Sequence, residues 1–264
     1  MIISLVRGRR WVPLGALGGL GAAHGAMGVG LLPCPMMSMT QCLAVAVGVV
    51  AAASLAAAVA RATFLALRTA GAVAALGRVP TPPTVAEAAE RAGARDVVCV
   101  PGEDRTGFCA GLVRPRVYVT TALSGPELDA VLAHEAAHAR RRDPLRRLVS
   151  RAAADVLFYL PLAFWWRNRQ IERSELFADR AAIDRVARKA VAVALMSADG
   201  GRLPETTAAW DGAAQARAAQ LLGDDVPRRR PARAQILASA SGLTLVVSLS
   251  MCLGQAFLLT IGLA

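Results

Sequence analysis

Charge is confined to the middle of this 264-residue chain. All 19 acidic residues fall between Glu87 and Asp225, and of the 30 basic residues only Arg7, Arg9 and Arg10 lie outside positions 61–233. No Asp, Glu, Lys or Arg occurs from Trp11 to Ala60 or from Ala234 to Ala264. A helix needs about 20 apolar residues to cross a bilayer, so the first stretch has room for two spans and the second for one. The first two are placed at about 11–32 and 42–60, because Pro33 to Thr40 carries prolines and polar residues that favour a turn. The expected organisation is an N-terminal transmembrane hairpin over 1–62, a polar domain over 63–233 and a C-terminal transmembrane helix over 234–264. A mean hydropathy of +0.44 excludes a wholly soluble or wholly disordered chain.

Basic residues mark the cytoplasmic ends of membrane helices. Arg7, Arg9 and Arg10, then Arg61 and Arg68, then Arg228 to Arg233 stand at three such ends and agree on one orientation. The reading is a multi-pass cell-membrane protein with its polar domain in the cytoplasm and its C-terminus outside. A cleaved signal is the alternative for the glycine-rich first span and leaves the rest of the topology unchanged. Membrane orientation accounts for part of the net charge of +11; residues 61–233 keep 27 basic against 19 acidic residues, a net +8 with no partner named, for which lipid-facing flanks are preferred to nucleic acid. No DNA-reading helix motif or RNA-binding aromatic motif accompanies it, so no nucleic-acid partner is expected.

The polar domain reads as α+β and mainly helical. Thr84 to Ala94 has helical spacing of apolar residues, and Val97–Val100 and Val117–Thr121 are β-rich runs. Ser124, Pro126 and Glu127 predict a capping box that opens a helix running to about Arg141. A further helical region over 145–195 is expected to break at Pro161. Inside it, Val156 to Trp166 is an uncharged run short for a full span, which reads first as a core or interfacial segment and, alternatively, as one that dips into the membrane. The five cysteines show no CxxC spacing and are expected to be free thiols. Cys34, Met36, Met37, Met39 and Cys42 form a sulfur-rich turn. It reads first as a methionine-rich membrane turn and, alternatively, as a copper(I) attractor.

Chemistry concentrates in the helix that Ser124 opens. His134-Glu135-Ala136-Ala137-His138 places two imidazoles four residues apart, on one helical face, with a carboxylate beside the first. This is the HExxH arrangement, in which both histidines bind one zinc ion and the glutamate serves as general base. A catalytic zinc takes three protein ligands and leaves one position for water. The third histidine, His24, lies in the first expected span, so the third ligand must be a carboxylate or thiolate. Glu175 is nominated as that ligand. Asp179, four residues on and on the same face, is nominated as the acceptor that orients a histidine N–H.

The run from His134 through Asp143, followed by Glu175 and Asp179, resembles the membrane-bound gluzincin peptidases. These include the β-lactam-receptor (BlaR/MecR) type and the related heat-shock HtpX and CAAX-processing type. Phe108 to Leu112 and Arg114 to Val119 are similar to two strands of the receptor-type proteases, of which the resemblance implies that the first is an edge strand pairing with extended substrate. Arg217 to Leu222 is similar to a closing Arg-and-Leu box. The likeness spans about 105–223 and implies a zincin-like domain between transmembrane helices, one Zn2+ per chain and a protein or peptide substrate. The His-Pro that precedes the closing box in the heat-shock type is absent, which favours the receptor type. No extracellular sensor follows the last span, so β-lactam sensing is not implied. Residues 176–264 contain neither His nor Tyr to stabilise an oxyanion, which leaves Arg217 as the candidate.

Two functions of different class follow. The first is an integral-membrane zinc metalloendopeptidase acting on a repressor or a membrane protein. The second is a non-proteolytic membrane signalling or scaffold protein whose zinc site is structural or inactive.

Overall fold

The computed structural model describes residues 38–197, 214–226 and 230–260. The first expected span, with His24, Cys34 and most of the sulfur-rich turn, lies outside them. Helix α1 covers Met39–Ala74, and Ser38 caps it with a reciprocal box to Gln41. It contains the expected span at 42–60 but continues through residue 62 without a break. No proline interrupts residues 61–74, and Thr63 and Thr69 bond back to the carbonyls of Val59 and Leu65. After a short connection come α2 (Pro83–Ala92), β1 (Val97–Val100), β2 (Gly107–Ala110) and β3 (Arg116–Thr120). Then follow α3 (Gly125–Arg141), α4 (Asp143–Val156), α5 (Pro161–Ile183), α6 (Arg188–Ser197), α7 (Ala214–Leu222) and α8 (Arg233–Thr260). The protein is mainly helical with one small sheet.

The sheet has the order β1-β3-β2, with β1 parallel and β2 antiparallel to β3. Strand β2 is therefore an edge strand. Its opposite support is α3: a Cβ placed on Gly107 would come within 2.4 Å of Val131 Cγ1, so only glycine permits this approach of strand to helix. Helix α3 packs on α2, α5 and α6 as well as on β2 and β3. The shared core is small-residue rich, with Ala88, Ala130, Ala133, Ala182 and Ala194 beside Val117, Val119, Leu128 and Leu132. Alanines on facing helices let the backbones approach, which is how α3 becomes buried almost all round.

The expected capping box does not form. The Ser124 side chain makes no cap hydrogen bond, and Gly125 takes a φ of 58°. Glu127, the other half of the box, turns instead to Arg105 at 3.2 Å. Helix α3 still starts and ends where the pattern places it. Its far end is set by Arg142, which adopts a left-handed φ of 53° and serves at once as the C-cap of α3 and the N-cap of α4. Such a conformation costs a non-glycine residue about 1–2 kcal/mol, and it reverses the chain within one residue. The region expected to be helical over 145–195 is divided twice, at 157–160 before Pro161 and again at 184–187.

Helices α1 and α8 pack on each other and flank the rest of the chain, α1 against α4 and α8 against α5. Both are long and apolar enough to cross a membrane, with mean hydropathies of 2.5 and 2.0 in their most apolar windows. They expose large apolar side chains, among them Leu55, Val59, Leu245, Leu249, Leu253 and Phe257. The upper end of α1 reaches the sheet, where Val73 packs with Leu76 against Phe108 and Tyr118. The cysteines at 42, 99, 109 and 252 are free thiols.

Candidate metal centre

Helix α3 delivers His134, Glu135 and His138, and α5 brings Glu175 and Asp179 to meet them from the opposite side. All five side chains are fully buried. The two Nε2 atoms are 3.1 Å apart, and each faces one oxygen of Glu175, His134 at 3.4 Å from Oε2 and His138 at 3.6 Å from Oε1. Zinc bonds of about 2.0–2.1 Å in a tetrahedron set donor separations of roughly 3.3–3.4 Å. The three donors already stand near that spacing. His134, His138 and Glu175 are the group among the described residues that could hold a metal ion.

Each imidazole has its outer nitrogen on a carboxylate. His134 Nδ1 lies 3.0 Å from Asp179 Oδ1, and His138 Nδ1 lies 2.9 Å from Asp143 Oδ2. An Nδ1–H donated outward leaves the Nε2 lone pair pointing inward, the tautomer that a metal ligand needs. Asp143 is five residues past His138 and could not share its face on a continuous helix. The left-handed turn at Arg142 folds it back. Ser174 then donates to Asp143 at 2.7 Å and fixes the carboxylate.

Two arginines close the charge balance. Arg217 of α7 grips Asp179 through Nε and Nη2, both at 2.7 Å, and places Nη1 3.1 Å from Glu175 Oε2. Arg147 of α4 donates to the other oxygen, Glu175 Oε1. The sequence offered Arg217 as an oxyanion candidate; in the structure its guanidinium lies on the carboxylates of Asp179 and Glu175. Asp143, Arg147 and Ser174 were not singled out as site residues. The first had a signal, its place in the resembled motif, whereas Arg147 sits in an arginine-rich helix 28 residues from its partner, with nothing local to mark it.

Electrostatics follow from this packing. Burial alone would push His134 towards neutrality, but hydrogen bonds and charge from Asp179 and Glu175 outweigh it and raise its pKa to about 9. His138 goes the other way, lowered to about 4 because burial dominates despite its bond to Asp143. Burial also works against ionised Glu175, yet Arg147 and the two histidines hold it well below the usual carboxylate range. Glu135 is raised to about 8, chiefly by burial, with His134 opposing and Glu175 adding to the rise. Neither of its oxygens has a protein hydrogen-bond partner. Cys109, on β2, is buried and its thiol is pushed up by burial and by the charges of Glu135 and Asp143, so it stays protonated. A carboxylate rather than a thiolate completes the group.

A buried His-His-Glu set that could hold a metal ion, together with two helices long and apolar enough to cross a membrane, has the features expected of a membrane metallopeptidase. The particular family follows from its sequence match: residues 33–220 fit the family described as BlaR1 peptidase M56, and the chain belongs to that family. Comparison with curated proteins gave no match.

Proposed function

We propose that this chain is a zinc-dependent metalloendopeptidase of the gluzincin kind, with a zincin-like catalytic domain on the cytoplasmic side of a multi-pass membrane anchor. The observation that carries the reading is Glu135, a carboxyl that is fully buried, has no protein partner for either oxygen and stands beside His134, His138 and Glu175. Leaving a buried polar group unpaired costs about 1–3 kcal/mol. A chain that keeps one next to three convergent donors is holding it for chemistry. The donor set fits zinc: two imidazoles and one carboxylate, each backed by a further polar group.

Zinc held by His134, His138 and Glu175 would supply Lewis acidity, acidifying a water and polarising the scissile carbonyl. Glu135 accepts the proton of the attacking water and passes it to the departing amine. A cation at the three ligands favours the ionised form of Glu135, which turns a group protonated near neutrality into a base. Asp179 and Asp143 hold the imidazoles in the ligating tautomer. Arg217 acts through Asp179 and Glu175 as a positioning residue, so the oxyanion role that sequence suggested for it is not retained. By the resemblance, β2, whose four residues are buried, would pair with an extended peptide by strand addition. The substrate is a protein, as the family implies, and a cytoplasmic repressor or a membrane protein remain the two classes of choice.

The test is Glu135→Gln in purified, zinc-loaded protein. Cleavage should fall by about 10²–10⁴-fold while bound zinc stays near one per chain, and unchanged cleavage would refute the mechanism. The non-proteolytic reading has one observation in its favour: both Glu175 oxygens already face guanidinium groups. It requires that the chain bind no zinc, or bind it without any cleavage of a peptide library.

A further inference from the structure

The segment that joins α4 to α5 is apolar, yet it is not core. None of the residues from Val156 to Trp166 is buried, although the run includes Leu157, Phe158, Tyr159, Leu160, Leu162, Phe164, Trp165 and Trp166. Phe158 is 71% exposed and Trp166 is 41% exposed. The segment is nevertheless firmly placed, wedged between the two apolar helices. The Tyr159 hydroxyl is 3.5 Å from Ser54 Oγ on α1, and Leu162 N donates to Ser239 Oγ on α8 at 3.0 Å. A Cβ on Gly242 of α8 would lie 2.1 Å from the Tyr159 carbonyl oxygen, so α8 has a notch that accepts the turn.

These contacts fix a depth. Arg61 is the first charged residue of α1 after its apolar stretch, and it pairs with Asp155 at 2.8 Å. Ser54, the partner of Tyr159, lies seven residues deeper, about 10 Å at 1.5 Å per residue. Helix α8 gives a second measure that does not depend on the first. Its basic end is Arg233, and Gly242 lies nine residues beyond, about 14 Å. Both helices set Tyr159 well below the last basic residue, within an apolar half-layer about 15 Å thick. The way out agrees: α5 starts at Pro161, passes Trp165 and Trp166, and meets its first charge at Arg167, about 9 Å up the helix. Arg61, Arg151, Arg167 and Arg233, on four different helices, thus come to one level, with the aromatic pair just beneath them. Tryptophans at the boundary and arginines above it are how proteins meet headgroups.

We propose that the turn over residues 157–160 and the first turn of α5 are immersed in the apolar layer of the bilayer that α1 and α8 cross, with Phe158 among the acyl chains. The metallopeptidase domain is then held by the α4–α5 turn as well as by α1 and α8, and the start of α5, the helix that carries Glu175, is itself a membrane element. The inference rests on the membrane reading of α1 and α8 and not on proteolysis or zinc.

Nitroxide accessibility in the full chain, reconstituted in phosphatidylcholine and phosphatidylglycerol vesicles, tests it. Cys34, Cys42 and Cys252 are replaced by Ala, while Cys99 and Cys109 are buried and stay. A label is placed at Phe158→Cys, at Leu249→Cys in the apolar part of α8 and at Val113→Cys, 75% exposed in the β2–β3 loop. The label at 158 should behave like that at 249, colliding several-fold more with oxygen than with a water-soluble nickel chelate, and 113 should show the reverse. Water-like behaviour at 158 with lipid-like behaviour at 249 would overturn the proposal alone. Water-like behaviour at both would overturn the membrane reading of α8 with it. Matching far-UV circular dichroism of the three chains checks the fold, and Leu157→Cys gives a second position in the same turn.

Discussion

The interior of the α3–α5 interface and the outer faces of α1 and α8 reverse the usual rule in opposite senses. The first buries Glu135, Glu175, Asp179, Asp143, Arg147 and Arg217; the second exposes Leu55, Leu245, Leu249 and Phe257. Each is stable only with a partner of the right chemistry. Buried ionised groups require counter-charges in contact, because an isolated charge in an apolar interior is far too costly. Exposed leucines require an apolar solvent. One chain therefore contains two environments matched to two different media, and burial by itself identifies neither.

Perturbations should separate the two regions. The largest effect is expected in the centre, where His138→Ala should reduce bound zinc from about one per chain to near zero and abolish cleavage, read by metal analysis and a peptide assay. Glu135→Gln should lower turnover by about 10²–10⁴-fold with zinc retained, which sets it apart from every ligand substitution. Asp179→Asn should weaken zinc by about 10–100-fold in a chelator competition, since it frees His134 and Arg217 together. In the other region, Leu249→Arg should hinder insertion by about 2.5–3.5 kcal/mol, whereas Val113→Arg, equally exposed but on the polar domain, should change nothing measurable. Equal outcomes at 249 and 113 would remove the distinction drawn here.

The smallest effect is one of pH, and its sign can be worked out. His134 is raised from 6.5 to about 9, so its contribution to stability is complete below 6.5 and is lost as pH rises through 9. Glu135, raised from 4.5 to about 8, keeps a proton that the unfolded chain releases and so also loses stability with rising pH, between 4.5 and 8. His138, lowered to about 4, acts oppositely and only below 6.5. Chelator-treated protein should therefore become less stable from pH 6.5 to 9, followed by thermal denaturation, because its folded state binds more protons there than the unfolded chain.

The sequence made the centre more legible than its surroundings. The spacing of His134 and His138 on one helical face, and of Glu175 and Asp179 on another, is local information, and both pairs meet in the structure. Arg147 carried no such sign, since its partner lies on a different helix and is reached only through the α4–α5 reversal. Asp143 depended on a left-handed Arg142, a conformation that glycine would have advertised and arginine conceals. The length of α1 was also hidden: apolar composition ends near Ala60, but the backbone keeps its helix to Ala74 because Arg61 and Asp155 satisfy one another and Val73 finds the sheet. Charge patterns report the medium around a helix, not where the helix stops.

The buried set around the two histidines also has a simple sum. Glu135, Asp143, Glu175 and Asp179 carry four negative charges when ionised, and Arg147 and Arg217 carry two positive ones. A divalent ion would offset the two negative charges left within this buried set, beside which Arg141 and Arg146 also lie 3.7 and 3.8 Å from Asp143. Without the ion the same offset is reached by one proton on His134 and one on Glu135, the two groups whose pKa values are raised. On the proposed zinc reading, metal binding should release protons, so affinity for metal should rise with pH, read by chelator competition at two pH values.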